Sequence, residues 1–96
     1  MRESQFQALL IKDLRSLFPD CVVLKTDPSY KQGIPDLLIL CGGRWAALEC
    51  KVSPSAHRQP NQEYYIGRMN ELSFASFIFP ENRDEVLARL KQYFIQ

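Results

Sequence analysis

The sequence predicts an α/β fold: a mixed four-stranded sheet flanked by helices, in the order α-β-β-β-α-β-α. Three observations carry that expectation. Apolar residues recur at helical spacing near both ends of the chain and once between them. Two apolar runs flank Gly42-Gly43, and a third, Phe74 to Phe79, sits between the last two helical patterns. At 96 residues the chain has room for one domain, 1–96, built on a single core.

The first helix is expected from Phe6, Leu9, Leu10, Leu14, Leu17 and Phe18, with Lys12, Asp13, Arg15 and Ser16 mostly between them. Pro19-Asp20 ends it. Cys21 to Thr26 is short and β-branched, a strand, and Asp27 to Gly33 is a loop by its Pro, Ser and Gly content. Ile34 to Cys41 and Arg44 to Val52 form a hairpin, because Gly-Gly serves a turn whose central positions require positive φ. Ser53 to Gln59 is a polar loop. Pro60 suits the first turn of a second helix, whose buried stripe is Tyr65, Ile66, Met69 and Leu72. Phe74 to Phe79 is apolar apart from Ser76, as in a strand covered on both faces. Asn82 and Glu85 have capping-box spacing, with Asn replacing the usual Ser or Thr, and open a closing helix carrying Val86, Leu87, Leu90, Tyr93 and Phe94.

Composition narrows the function classes. With 46% hydrophobic and 24% charged residues the chain is not disordered. Its longest charge-free apolar stretch, Leu37 to Gly43, is too short to cross a bilayer, and its opening residues contain no signal-peptide core. Cys21, Cys41 and Cys50 form no C-x-x-C pair and cannot all pair internally, so three reduced thiols in a cytoplasmic protein are expected. His57 is the only histidine, which argues against zinc. The net charge of +1 gives no basic excess of the kind that marks a nucleic-acid binder.

Local chemistry points elsewhere. If Gly42 and Gly43 are the loop, opposed residues sum to 85, so Leu37 faces Leu48 and Asp36 faces Glu49. Opposed Cβ atoms lie about 4.5–5.5 Å apart, and like charges there destabilise a sheet. Two carboxylates so placed call for a cation or a shared proton. Alternation puts Ala46, Leu48, Cys50 and Val52 on one face, with Trp45, Ala47, Glu49 and Lys51 on the other. Glu49 and Lys51 are therefore neighbours. Glu3, seven residues before Leu10, continues the first helix's apolar stripe, and Gln62 begins that of the second. Singly, each is ordinary: an exposed strand pair, a turn aspartate, a first-turn acid. Jointly, they converge on one sheet edge.

These residues carry a resemblance. Glu3 in the opening helix, K-x-G-x-P-D-L-L at Lys31 to Leu38, L-E-C-K at Leu48 to Lys51 and P-N-Q at Pro60 to Gln62 resemble the PD-(D/E)xK nuclease superfamily. Within it they resemble the VRR-NUC family of virus-type replication and repair nucleases, in the minimal stand-alone form of bacteriophages and bacteria. One departure is visible: the family's glycine turn after the second helix is replaced by Glu71-Leu72-Ser73.

The resemblance implies a restriction-endonuclease-like fold and a metal-dependent DNA endonuclease, selective for branched structures such as four-way junctions and acting as a homodimer. Asp36 and Glu49 would bind Mg²⁺ or Mn²⁺, helped by the Cys50 backbone carbonyl and by Glu3, directly or through water. Lys51 would orient the hydroxide or stabilise developing charge, and Gln62 would position water or phosphate. No small-molecule cofactor is implied. Lys25, Lys31, His57 and Arg58 lie in or beside loops approaching the site and are candidate DNA phosphate contacts. The alternative is an inactive nuclease-like module that only binds DNA or a protein. A structural protein with a buried Asp–Glu–Lys network is a third reading, set against the cost of burying ions.

The charge balance then reads differently. Committing Glu3, Asp36 and Glu49 to metal leaves 8 acids against 12 bases, a modestly basic exterior of +4. That excess predicts weak non-specific binding to DNA with a shallow salt dependence.

Overall fold

The computed structural model describes residues 1–96 and has the expected element order: α1 (Glu3–Leu17), β1 (Val22–Lys25), β2 (Leu37–Cys41), β3 (Arg44–Cys50), α2 (Pro60–Leu72), β4 (Phe74–Ile78) and α3 (Arg83–Ile95). The strands lie in the order β1-β2-β3-β4. β1 and β3 each pair antiparallel with β2, whereas β4 runs parallel to β3. A parallel neighbour needs a crossover connection, and α2 supplies it. The hairpin register is the one the Gly42-Gly43 loop dictates, from Cys41↔Arg44 to Leu37↔Leu48; Gly42 is at φ 63°, but Gly43 is not at positive φ, so only the first turn position requires glycine.

The core lies on one face of this sheet. Phe6, Leu10 and Leu14 of α1 and Val86, Leu87 and Leu90 of α3 close over Val23, Leu37, Ile39, Ala46, Leu48, Cys50, Phe74 and Ile78. Burying each of the larger side chains contributes roughly 1.5–3 kcal/mol. The α1 stripe is narrower than expected: Leu9 and Leu17 are exposed, and the buried polar residue Gln7 joins the face instead. A stripe of Phe6, Gln7, Leu10 and Leu14 is what a helix lying on a sheet needs.

The opposite face is only half covered. α2 packs over β3 and β4, and none of its residues is fully buried; Tyr65, Ile66 and Met69 are half-buried and Leu72 is exposed. The register puts Val22, Leu24, Leu38, Leu40 and Trp45 together on this face, and no helix covers Val22, Leu24 or Leu40. β3 is nonetheless buried on both sides from Ala46 to Cys50, so its second face is not a polar surface. Strands end sooner than the apolar runs suggested, with Ile34 to Asp36 and Lys51-Val52 outside the ladder.

Two further expectations are corrected. Asn82 does not cap α3 through its side chain; its Oδ1 accepts the Phe79 N–H at 2.8 Å and its Nδ2 donates to the Phe77 carbonyl at 3.2 Å, tying off the exit from β4. The cysteines are not three free thiols. The β1–β2 register sets Val22 against Leu40, so Cys21 and Cys41, one residue beyond, stand with Cα atoms 4.5 Å apart and form a disulfide. Cys50 alone is free, and it is buried. No helix is long and apolar enough to cross a membrane.

Candidate active site

The hairpin brings Asp36, Glu49 and Lys51 to one end of the sheet. The ladder stops at Leu37↔Leu48, and Asp36 bends inward so that its Oδ2 accepts the Cys50 N–H at 2.9 Å. That bend is held from behind by Thr26. Its N–H donates to the Asp36 carbonyl at 2.8 Å, and its hydroxyl donates to the Pro35 carbonyl at 2.7 Å. With Pro35 buried, the Pro-Asp unit has little freedom to move.

Glu49 is the centre of the cluster and is only 3% exposed. Its Oε2 accepts a hydrogen bond from Gln62 Nε2 at 3.0 Å and lies 3.7 Å from Lys51 Nζ. Its Oε1 is buried with no partner. Gln62 is oriented by the start of α2: its Oε1 accepts the Gln59 N–H at 3.0 Å, which aims the amide donor at Glu49. Lys51, 6% exposed, donates to the His57 carbonyl at 3.0 Å and lies 4.0 Å from Glu3 Oε1. Four elements or their flanks thus converge: α1 through Glu3, the entry to β2 through Asp36, β3 through Glu49 and Lys51, and α2 through Gln62.

Burial dominates the electrostatics. It pushes the Glu49 carboxyl up to about 8, and the neighbouring Asp36 and Glu3 charges add to that, while Lys51 opposes it. Burial also raises Asp36, against the Cys50 N–H bond and the charges of Lys51 and Lys25. The Cys50 thiol is raised for the same reason, by burial first and then by Asp36 and Glu49, so it is a neutral core group. Near neutral pH the Glu49 carboxyl therefore retains its proton.

Asp36 and Glu49 offer hard oxygen donors. No group of three or more His, Cys, Asp or Glu side chains is gathered closely enough to hold a metal alone. Mg²⁺, however, uses one or two carboxylates and keeps several waters. A buried carboxylate oxygen with no partner, close to a second carboxylate, is costly when both groups are ionised; a shared proton or a bound cation offsets that cost.

The four candidate DNA contacts differ. Lys25 and Lys31 are exposed, and Lys25 is close enough to act on Asp36. The His57 side chain is exposed while its carbonyl holds Lys51. Arg58 is already engaged, 3.8 Å from Glu63 and stacked 3.9 Å from the Phe77 ring centroid. Sequence reasoning missed Thr26 and Gln7. Gln7 is 9% exposed, one helical turn after Glu3, and its side chain is close enough to the Cys50 thiol to oppose the rise in its pKa. The i, i+4 spacing from Glu3 was the available signal. Family models, curated proteins and solved structures yield no match to this chain.

Proposed function

We propose that this chain is a Mg²⁺- or Mn²⁺-dependent DNA endonuclease with a restriction-endonuclease-like fold, hydrolysing phosphodiester bonds in branched DNA as a homodimer. One observation carries the reading: the buried, unpartnered Glu49 Oε1 beside Asp36, with Lys51 and Gln62 converging on the same carboxylate. The preference for branched DNA, the homodimer and the VRR-NUC affinity rest on the resemblance of the K-x-G-x-P-D-L-L and L-E-C-K segments.

Asp36 and Glu49 would hold the ion, with the Cys50 carbonyl and Glu3 contributing directly or through water. A bound divalent cation supplies Lewis acidity, lowering the pKa of a coordinated water and offsetting charge on the phosphoryl oxygens. The chain's own residues supply the rest. Lys51, fixed by the His57 carbonyl, presents a buried ammonium to negative charge developing on the attacking oxygen or the phosphate. Gln62 holds Glu49 in one orientation, so that Oε1 faces the site. Thr26 and the Cys50 N–H keep Asp36 from swinging into solvent.

The test is incubation with four-way-junction, flap, duplex and single-stranded DNA, with Mg²⁺ or with EDTA. Cleavage is expected only with Mg²⁺, and EDTA should abolish cutting more completely than it weakens binding. Asp36→Asn retains an acceptor for the Cys50 N–H, so it should fold, yet both it and Lys51→Ala should lose cleavage. Undiminished cutting by either variant refutes the assignment. Absence of metal binding at millimolar Mg²⁺ or Mn²⁺ favours a module that binds DNA or a protein without cutting.

A further inference from the structure

The loop that leads into Asp36 and the first turn of α2 are the two walls flanking Glu49, and they meet at Gly33. Gly33 has φ 92°, a conformation that side chains with a Cβ disfavour. A Cβ there would also lie inside contact distance of Asn61 Cβ, 3.0 Å from the Asn61 carbonyl carbon and 3.2 Å from its Cα. Two of those neighbours are backbone, so no rotamer change relieves the crowding. A cleft of about 200 Å³ is lined by Thr26, Ile34 and Pro35 with Leu38, Ala47 and Met69, among others. Asn61 immediately precedes Gln62, which bonds Glu49, and Gly33 lies three residues before Asp36, which bonds Cys50.

We propose that Gly33 is a positioning residue: its bare backbone bears on Asn61, and that bearing sets the reach of Gln62 to Glu49 relative to Asp36. A side chain at position 33 pushes the start of α2 away from the loop and loosens the Gln62–Glu49 bond. The proposal rests on the nuclease reading for its catalytic consequence, while its geometric content stands apart from it. The deciding contact is between Gly33 and the Asn61 backbone and Cβ, so Asn61→Gly should relieve part of what Gly33→Ala imposes.

The experiment compares wild type, Gly33→Ala, Asn61→Gly and the double variant. It reads the Gln62 side-chain NH₂ resonances by NMR, Mn²⁺ binding by calorimetry, and kcat and KM for junction cleavage. Gly33→Ala should shift the Gln62 NH₂ signals and lower kcat on the order of 100-fold, the effect of a displacement of about 1 Å, with KM little changed. The double variant should recover part of the signal position and of kcat. If Gly33→Ala alone does not fold, a folded double variant with near-native Gln62 signals supports the joint, and a double variant that also fails overturns it. Unchanged Gln62 signals in a folded Gly33→Ala, or no recovery in a folded double variant, also overturn it. If wild type neither binds Mn²⁺ nor cuts, the nuclease reading falls, and the Gln62 signals still decide the role of Gly33.

Discussion

Raising the pH from about 5 to about 8 in EDTA is expected to destabilise the metal-free protein, with Glu49 as the main cause. In the folded chain burial holds the Glu49 carboxyl near 8, whereas the free group titrates near 4.5. Folded protein therefore binds more protons than unfolded protein between those values. The contribution is fully present below the lower value and is lost as pH rises through the upper one. At roughly 1.4 kcal/mol per unit, and with most of the separation falling inside the window, the loss is about 3 kcal/mol. Asp36, raised as well, moves stability in the same direction. Urea unfolding followed by circular dichroism across this range measures it directly. Glu49→Gln should flatten the curve, since a neutral amide of the same shape has no proton to lose. Saturating Mn²⁺ should also reduce the slope in wild type, because the cation takes the proton's place. A stability that rises with pH across the window, or a slope that Glu49→Gln leaves intact, would refute this account of the buried carboxylates.

Three further outcomes follow from the fold. Cys21→Ser opens a covalent loop with a sequence separation of 20 and should cost about 3 kcal/mol in denaturant unfolding; equal stability with and without reductant would count against the pair. Leu14→Ala should cost about 3 kcal/mol, since Leu14 is fully buried beneath α1, whereas Leu17→Ala on the exposed side should stay within about 0.5 kcal/mol. Comparable losses at both sites would contradict the narrow stripe. Duplex binding should weaken only modestly as salt rises, with a logarithmic slope of a few, because the exterior excess is small and Arg58 is already paired. A slope near ten would require many more phosphate contacts than this surface offers.

Much of the site was legible because hairpin arithmetic is rigid. Once Gly42-Gly43 was the turn, the positions of Leu37 and Leu48 followed, and with them the nearness of Asp36 to Glu49 and Lys51. The cysteine pair was illegible for the matching reason: it depends on the register of β1 against β2, and the loop from Asp27 to Gly33 is too long to imply one. The depth of Glu49 was not legible because alternation tells which face a residue takes but not what covers that face; here α2 does. Gln7 escaped notice because a stripe drawn from apolar residues skips a polar one lying within it. Thr26 acts through backbone carbonyls of Pro35 and Asp36, a partnership no side-chain pattern announces.

The convergence of Glu3, Asp36, Glu49, Lys51 and Gln62 from separate elements makes the cluster an all-or-none indicator of a finished tertiary structure. No contiguous fragment shorter than Glu3 to Gln62 contains every member. Partial opening of α1 or α2 removes a member before the β2–β3 hairpin is disturbed, leaving strands paired around an incomplete cluster. A proteolytic nick in the Ser53 to Gln59 connection should thus loosen Gln62 and the His57 carbonyl from the cluster while most of the chain's secondary structure persists.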